Sequence, residues 1–132
     1  MITQDQLKEV KDRTDALHRY LNIDAKKIQL EEEQLRTQAP GFWDDQKRAE
    51  AQMKLVKGLE KWIKGYEEVR ALCDELELAC EYYREELVTG QEVDDIYRRS
   101  LEAIENLELK NMLRREEDQM DAVLKINAGA GG

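Results

Sequence analysis

The apolar positions of this chain fall into helical stripes over most of its length. Leu7, Val10, Leu17 and Leu21 recur at spacings of three, four or seven, with Thr14 filling the remaining stripe position. That pattern predicts a first helix over 3–21. A second stretch carries Ile28, Leu30 and Leu35, with Asp24 as a candidate N-cap. Asn22-Ile23-Asp24 leaves open whether the helix breaks there or only bends. Ala39-Pro40-Gly41 ends it, because proline disfavours helix at the residue before it and glycine opens a turn.

The next pattern is the longest. Leu59, Trp62, Tyr66, Val69, Cys73, Leu76, Cys80, Tyr83 and Leu87 alternate spacings of three and four without a miss, the a and d positions of a heptad seam. Val56, Ile63 and Leu72 flank the seam and widen it, so this helix is expected to meet more than one partner. Asp44 or Asp45 caps its start and Gly90 closes it, giving a rod of roughly 65 Å. Gly58 and Gly65 each cost about 1 kcal/mol against alanine within it. Val88-Thr89-Gly90-Gln91 reads as a short turn. Val93, Ile96, Tyr97, Leu101, Ile104, Leu107 and Met112 then mark a returning helix from Glu92. A short connection between long helices implies antiparallel neighbours.

The pattern changes after Asp118. Ala122-Val123-Leu124-Lys125-Ile126-Asn127-Ala128 is short, β-prone and bounded by glycine, which predicts a strand. A lone strand is not stable, so its sheet is expected beyond Gly132. Gly129-Ala130-Gly131-Gly132 lacks the Lys-Ser/Thr of a phosphate loop and reads better as a turn between strands. The expected fold is all-α: a long antiparallel helical hairpin packed with N-terminal helices, ending in a short C-terminal strand orphaned by truncation. The expected division is a helical domain over 1–119 and the start of a truncated central domain over 120–132.

Composition supports helices: 39% of residues are charged, 6% are aromatic and Pro40 is the one proline. No apolar run approaches the ~18 residues that span a bilayer, and the N-terminus lacks the order of a signal peptide. A cytoplasmic location with no membrane partner is expected. Cys73 and Cys80, seven residues apart on one helix, lie too far apart for a disulfide. With His18 the one histidine, no zinc set is expected, nor any other metal or cofactor. Ser100 and His18 form no evident nucleophile–base pair. Glu31-Glu32-Glu33 and Glu116-Glu117-Asp118 point in different directions from a helix, so solvated faces are the plainer account. No catalytic residue and no small-molecule substrate are expected.

The net charge of −9 argues against a generic nucleic-acid binder, yet the charge is unevenly spread. Lys47, Arg48, Lys54, Lys57, Lys61 and Lys64 face only Glu50 and Glu60 within 47–64. From 71 to 121 there are six basic and sixteen acidic residues. Lys54, Lys57, Lys61 and Lys64 recur at three, four and three, with Lys47 one heptad earlier, so they form a row on the outer face of the long helix. Two readings stand: an ordinary solvated face, or an electrostatic contact with RNA or an acidic protein. Phe42 or Trp43, just before the cap, is a candidate hydrophobic staple.

Three local patterns resemble one family. They are Tyr20-Leu21-Asn22-Ile23-Asp24-Ala25-Lys26-Lys27 followed by Leu30-Glu31-Glu32, then Pro40-Gly41-Phe42-Trp43-Asp44-Asp45, and then Leu107-Glu108-Leu109 leading to 122–132. Together the chain resembles the N-terminal domain of the class I peptide chain release factors. The Asp-Ala-Lys-Lys and Pro-x-Phe-Trp segments favour the release factor 2 branch, whereas the glycine-rich end is common to the class. The resemblance implies a role in directing translation termination at stop codons. It also implies a docking arm that meets the ribosome near the stalk base, at the GTPase-associated region. Lys47, Lys54, Lys57, Lys61 and Lys64 are the candidate contact residues. The remaining domains of the same factor, with the codon-reading tripeptide and the Gly-Gly-Gln loop, are implied partners; neither motif lies in this sequence. The alternative is a free-standing coiled-coil adaptor dimerising through the 59–87 seam.

Overall fold

The computed structural model describes residues 1–131, with side chains to residue 125. Four helices follow one another: α1 (Gln4–Tyr20), α2 (Ile23–Arg36), α3 (Gln46–Arg84) and α4 (Gly90–Gly131), with a short 3₁₀ turn, Phe42–Asp44, before α3. α3 is the common wall. α1, α2 and α4 all pack against it, and α1 also touches α2 and α4.

Each helix start has a local cause. Thr3 and Gln6 form a capping box at α1: the Gln6 N–H donates to Thr3 Oγ1 at 3.1 Å and the Thr3 N–H to Gln6 Oε1 at 2.8 Å. Asn22, in the left-handed region at φ 50°, turns the chain between α1 and α2, a conformation asparagine tolerates better than most residues. The junction is therefore a break, and Asp24 lies in the first turn of α2 instead of capping it. Gly41, at φ +77°, makes the turn after Pro40 that a Cβ would strain. Asp45 Oδ1 then accepts from the Arg48 N–H at 3.2 Å and caps α3.

α3 stops at Arg84, earlier than the Gly90 the sequence suggests. The Leu87 N–H donates to the Tyr82 carbonyl at 2.9 Å and the Glu86 N–H to that of Tyr83 at 3.0 Å, the bonding of a Schellman turn. Glu86 holds the left-handed position at φ 61° that glycine usually fills. Thr89 and Glu92 form a second capping box, with bonds of 3.2 and 3.0 Å, so Gly90 opens α4 and does not close α3. The Thr-x-x-Glu signal was present in the sequence beside the more conspicuous glycine.

The core follows α3's stripe. Tyr66, Val69, Cys73, Leu76 and Cys80 meet Val10, Leu17 and Leu21 on one side and Val93, Ile104 and Leu107 on the other. Thr14 is fully buried with its hydroxyl donating to the Val10 carbonyl at 2.8 Å. Ser100, also buried, donates to the Ile96 carbonyl at 2.8 Å. The seam from Leu59 to Cys80 is thus covered by helices of the same chain, which leaves the dimerising-adaptor reading without its surface; Tyr83 and Leu87, at the far end, are exposed. Burial pushes the thiols of Cys73 and Cys80 up from their ordinary pKa, as expected of inert core cysteines.

Two expectations are corrected. No strand is present among the described residues, and the fold is a four-helix all-α bundle. Residues 122–128, predicted as an orphan strand, continue α4, as do Gly129, Ala130 and Gly131; Gly132 lies outside the described residues. With no neighbouring strand to complete a ladder, a helix satisfies the backbone groups within the segment itself. Ala122, Leu124 and Lys125 favour it. The stripe of α2 also differs. Ile23, Lys26, Leu30 and Glu33 face inward, while Ile28 and Leu35 are exposed. Glu33, only 8% exposed, is accommodated because Gln52 Nε2 donates to its carboxylate at 2.6 Å and to its carbonyl at 2.9 Å.

Replacing Glu86 with glycine removes the Cβ clash of the left-handed turn. The Glu86→Gly variant is expected to gain about 0.5–1 kcal/mol in urea unfolding; a loss of stability would show that the Glu86 side chain contributes more than its backbone conformation costs.

Candidate functional site

The start of α3 sorts its two aromatic residues. Phe42 is buried at 8% exposure, three residues before the Asp45 cap and so not at the staple position, while Trp43 stands 61% exposed, edge-on to Phe42 with ring centroids 4.9 Å apart. Trp43 borders a shallow groove lined also by Ala49, Met53, Lys54 and Lys57. The structure thus brings two lysines of the row beside an exposed indole.

All five lysines of the row, Lys47, Lys54, Lys57, Lys61 and Lys64, are exposed. Among the described residues none of them forms an ion pair. The acidic half of the bundle is different. Lys11 reaches Glu77 at 3.1 Å, Arg13 reaches Glu108 at 2.5 Å and Arg99 reaches Glu75 at 3.6 Å. Arg70 donates to Asp15 at 2.7 Å and to the Tyr66 hydroxyl at 2.9 Å. The Arg70 guanidinium holds the Asp15 carboxyl below its usual pKa. Surface pairs of this kind contribute little stability each; among the described residues they engage ten of the thirty acidic residues, and no lysine of the row is among their cations.

Lys61 differs from its neighbours. It lines a second groove, between α3 and α4, with Trp62, Lys110, Leu113 and Arg114. Gly65 lets the helices approach there, since a Cβ on it would lie 3.3 Å from Leu107 Cδ1. The Arg114 guanidinium stacks 5.0 Å from the centre of the Trp62 ring, within cation–π range. Sequence reasoning did not connect Trp62, Lys110 and Arg114, because only the register of α4 on α3 brings them together.

The other sequence candidates are occupied structurally. His18 Nε2 lies 3.1 Å from Asp24 Oδ1 and its ring is tilted against Tyr66 at 5.3 Å. Ser100 is held by backbone carbonyls. Among the described residues no helix is long and apolar enough to cross a membrane.

A family model described as the PCRF domain matches residues 23–132. The chain belongs to the PCRF domain family. A curated relative of this PCRF domain is the peptide chain release factor 2 of Neorickettsia sennetsu (strain ATCC VR-367 / Miyayama). It is 31% identical over 134 residues, an alignment covering 98% of this chain and 36% of the relative. The PCRF chain therefore spans about a third of that relative's length. The resemblance to release factors carried by Asp24-Ala25-Lys26-Lys27 and Pro40-Gly41-Phe42-Trp43 is borne out at the level of the family. The family match starts at the first residue of α2, whereas the alignment with the relative takes in nearly all of the chain.

The different fates of Phe42 and Trp43 set a test of the exposed indole. Phe42→Ala is expected to cost about 3 kcal/mol in thermal or urea unfolding, and Trp43→Ala less than about 0.5 kcal/mol. Equal losses would mean that Trp43 is part of the fold and not a free surface group.

Proposed function

We propose that this PCRF domain is the ribosome-docking arm of a peptide chain release factor, serving translation termination at stop codons in the cytoplasm. In this reading the domain is not an enzyme. It engages the ribosome near the stalk base, at the GTPase-associated region, while other parts of the same protein read the codon and promote hydrolysis. The helical arm over 1–119 and the start of a central domain over 120–132 belong to the same proposal.

The observation that carries it is a row of five exposed lysines, none of them in an ion pair among the described residues, on a bundle that is otherwise acidic. Charges that serve no partner within the chain remain free to meet a phosphate-bearing surface, and each phosphate neutralised releases counterions. α3 is suited to presenting them. Its 39 residues give a helical scaffold of about 58 Å, packed by three helices on its other faces. Family membership and the release factor 2 relative support the identity of the partner.

Reversing Lys47, Lys54, Lys57, Lys61 and Lys64 to glutamate in the full-length factor is expected to weaken sedimentation with ribosomes at least tenfold at moderate salt. It should also flatten the salt dependence by about one unit per lost phosphate contact. Unchanged affinity returns the row to an ordinary solvated face. The isolated chain is expected to release no peptide from stop-programmed ribosomes; release above the factor-free control overturns the non-enzymatic reading.

A further inference from the structure

The α3–α4 groove combines three features that the fold does not require. Its floor is apolar and partly aromatic, from Leu107, Leu113 and the half-buried Trp62. Its two rims are both cationic, with Lys61 on α3 and Lys110 and Arg114 on α4. It is also open at Gly58, where a Cβ would meet no atom within 4 Å, so the missing side chain answers no steric need of the bundle.

A fourth cation lies near the groove's Arg114. Lys26 of α2 has its ammonium bonded to the Leu21 carbonyl, and its pKa is lowered by burial and by repulsion from Arg114. Arg114 donates to Asn111 Oδ1 at 2.8 Å, yet its Nε is buried with no acceptor among the described residues. Among the described residues Glu117 is the one carboxylate lining the groove. Among the described residues Lys61, Lys110 and Arg114 form no ion pair, which leaves their charge available to an anion from outside.

We propose that the α3–α4 groove is a seat for an RNA segment, its phosphates meeting Lys61, Lys110 and Arg114 and a base plane resting on the Trp62–Arg114 stack. Cationic walls with a stacking platform are the combination by which proteins hold unpaired nucleotides. Arginine planes stack on exposed bases as aromatic rings do. An acidic peptide offers charge but no plane to extend the stack. Carboxylates are also better matched by forked arginine pairs than by the lysines that supply most of this rim. The inference rests on the docking reading only for the source of the RNA.

The test uses the chain itself and a fluorescein-labelled single-stranded RNA of about 12 nucleotides, with binding read by anisotropy at low salt. Lys110→Glu and Lys61→Glu, both exposed positions, are each expected to weaken binding roughly tenfold and to lower the salt slope by about one. Arg114→Gln should do the same, with Arg114→Lys restoring part of the loss. Glu117→Gln should tighten binding, which a generally perturbed bundle would not do. Circular dichroism melts confirm that each variant is folded.

Unchanged affinity in both lysine variants overturns the proposal. So does a poly-glutamate peptide of equal length binding as tightly, which would point to an acidic protein. Displacement of the RNA by millimolar inorganic phosphate would mark a small-anion site and overturn it as well. Ribosome sedimentation of the full-length factor separates the two readings. If reversing Lys47, Lys54 and Lys57 leaves ribosome affinity intact while Lys110→Glu abolishes RNA binding, docking through the row fails and the groove stands. The opposite pattern overturns the groove alone.

Discussion

Everything in this bundle depends on α3 having an apolar surface broader than one neighbour can cover. Its buried positions run from Ala49 through Val56, Leu59, Ile63, Tyr66, Val69, Cys73 and Leu76 to Cys80, and α1, α2 and α4 each take part of that surface. A narrower stripe would have left a two-stranded seam and a dimerising rod. The width converts a self-associating pattern into an internal core. It also fixes what remains outside, because the face of α3 that no helix covers is the one carrying the lysines.

The same arrangement explains the electrostatics. The second half of α3 and most of α4 are acidic, and α1 lies against them with Lys11 and Arg13 reaching Glu77 and Glu108. Arg70, carried by α3 itself, reaches back to Asp15 of α1. The first half of α3 is flanked by α2, whose Lys27 reaches Glu67 and whose Glu33 turns inward to Gln52. The polarity visible in the sequence thus becomes a division of surfaces: an acidic end that carries the ion pairs to α1, and an end that carries the lysine row.

Much of the fold was legible because heptads and caps are local signals. The stripe of α1, including Thr14, and the seam of α3 needed only spacing, and Asp45 needed only its position before the helix. Legibility failed where a longer-range or competing influence decided. Residues 122–128 have β-prone side chains, but without a ladder partner the backbone closes its own hydrogen bonds. Ile28 and Leu35 looked like a stripe, yet Gln52 on α3 makes Glu33 the better inward residue. Gly90 drew the boundary to itself although Thr89 and Glu92 define it. At the candidate site, the row was legible as a face of one helix. The groove was not, since Trp62 and Arg114 meet only through the register of two helices.

The last part of α4 stands apart from the bundle. Asn111 is its final buried residue among those described, and every side chain from Arg115 to Lys125 is exposed, so little packing holds this stretch to its course. Each residue of an α-helix advances the chain by about 1.5 Å and rotates it by roughly 100°. One residue inserted or deleted between Asn111 and Lys125 would swing the segment beyond it about a third of a turn around the axis. In this stretch the number of residues therefore sets the helix's phase, and with it the way its far end faces, whatever their identity.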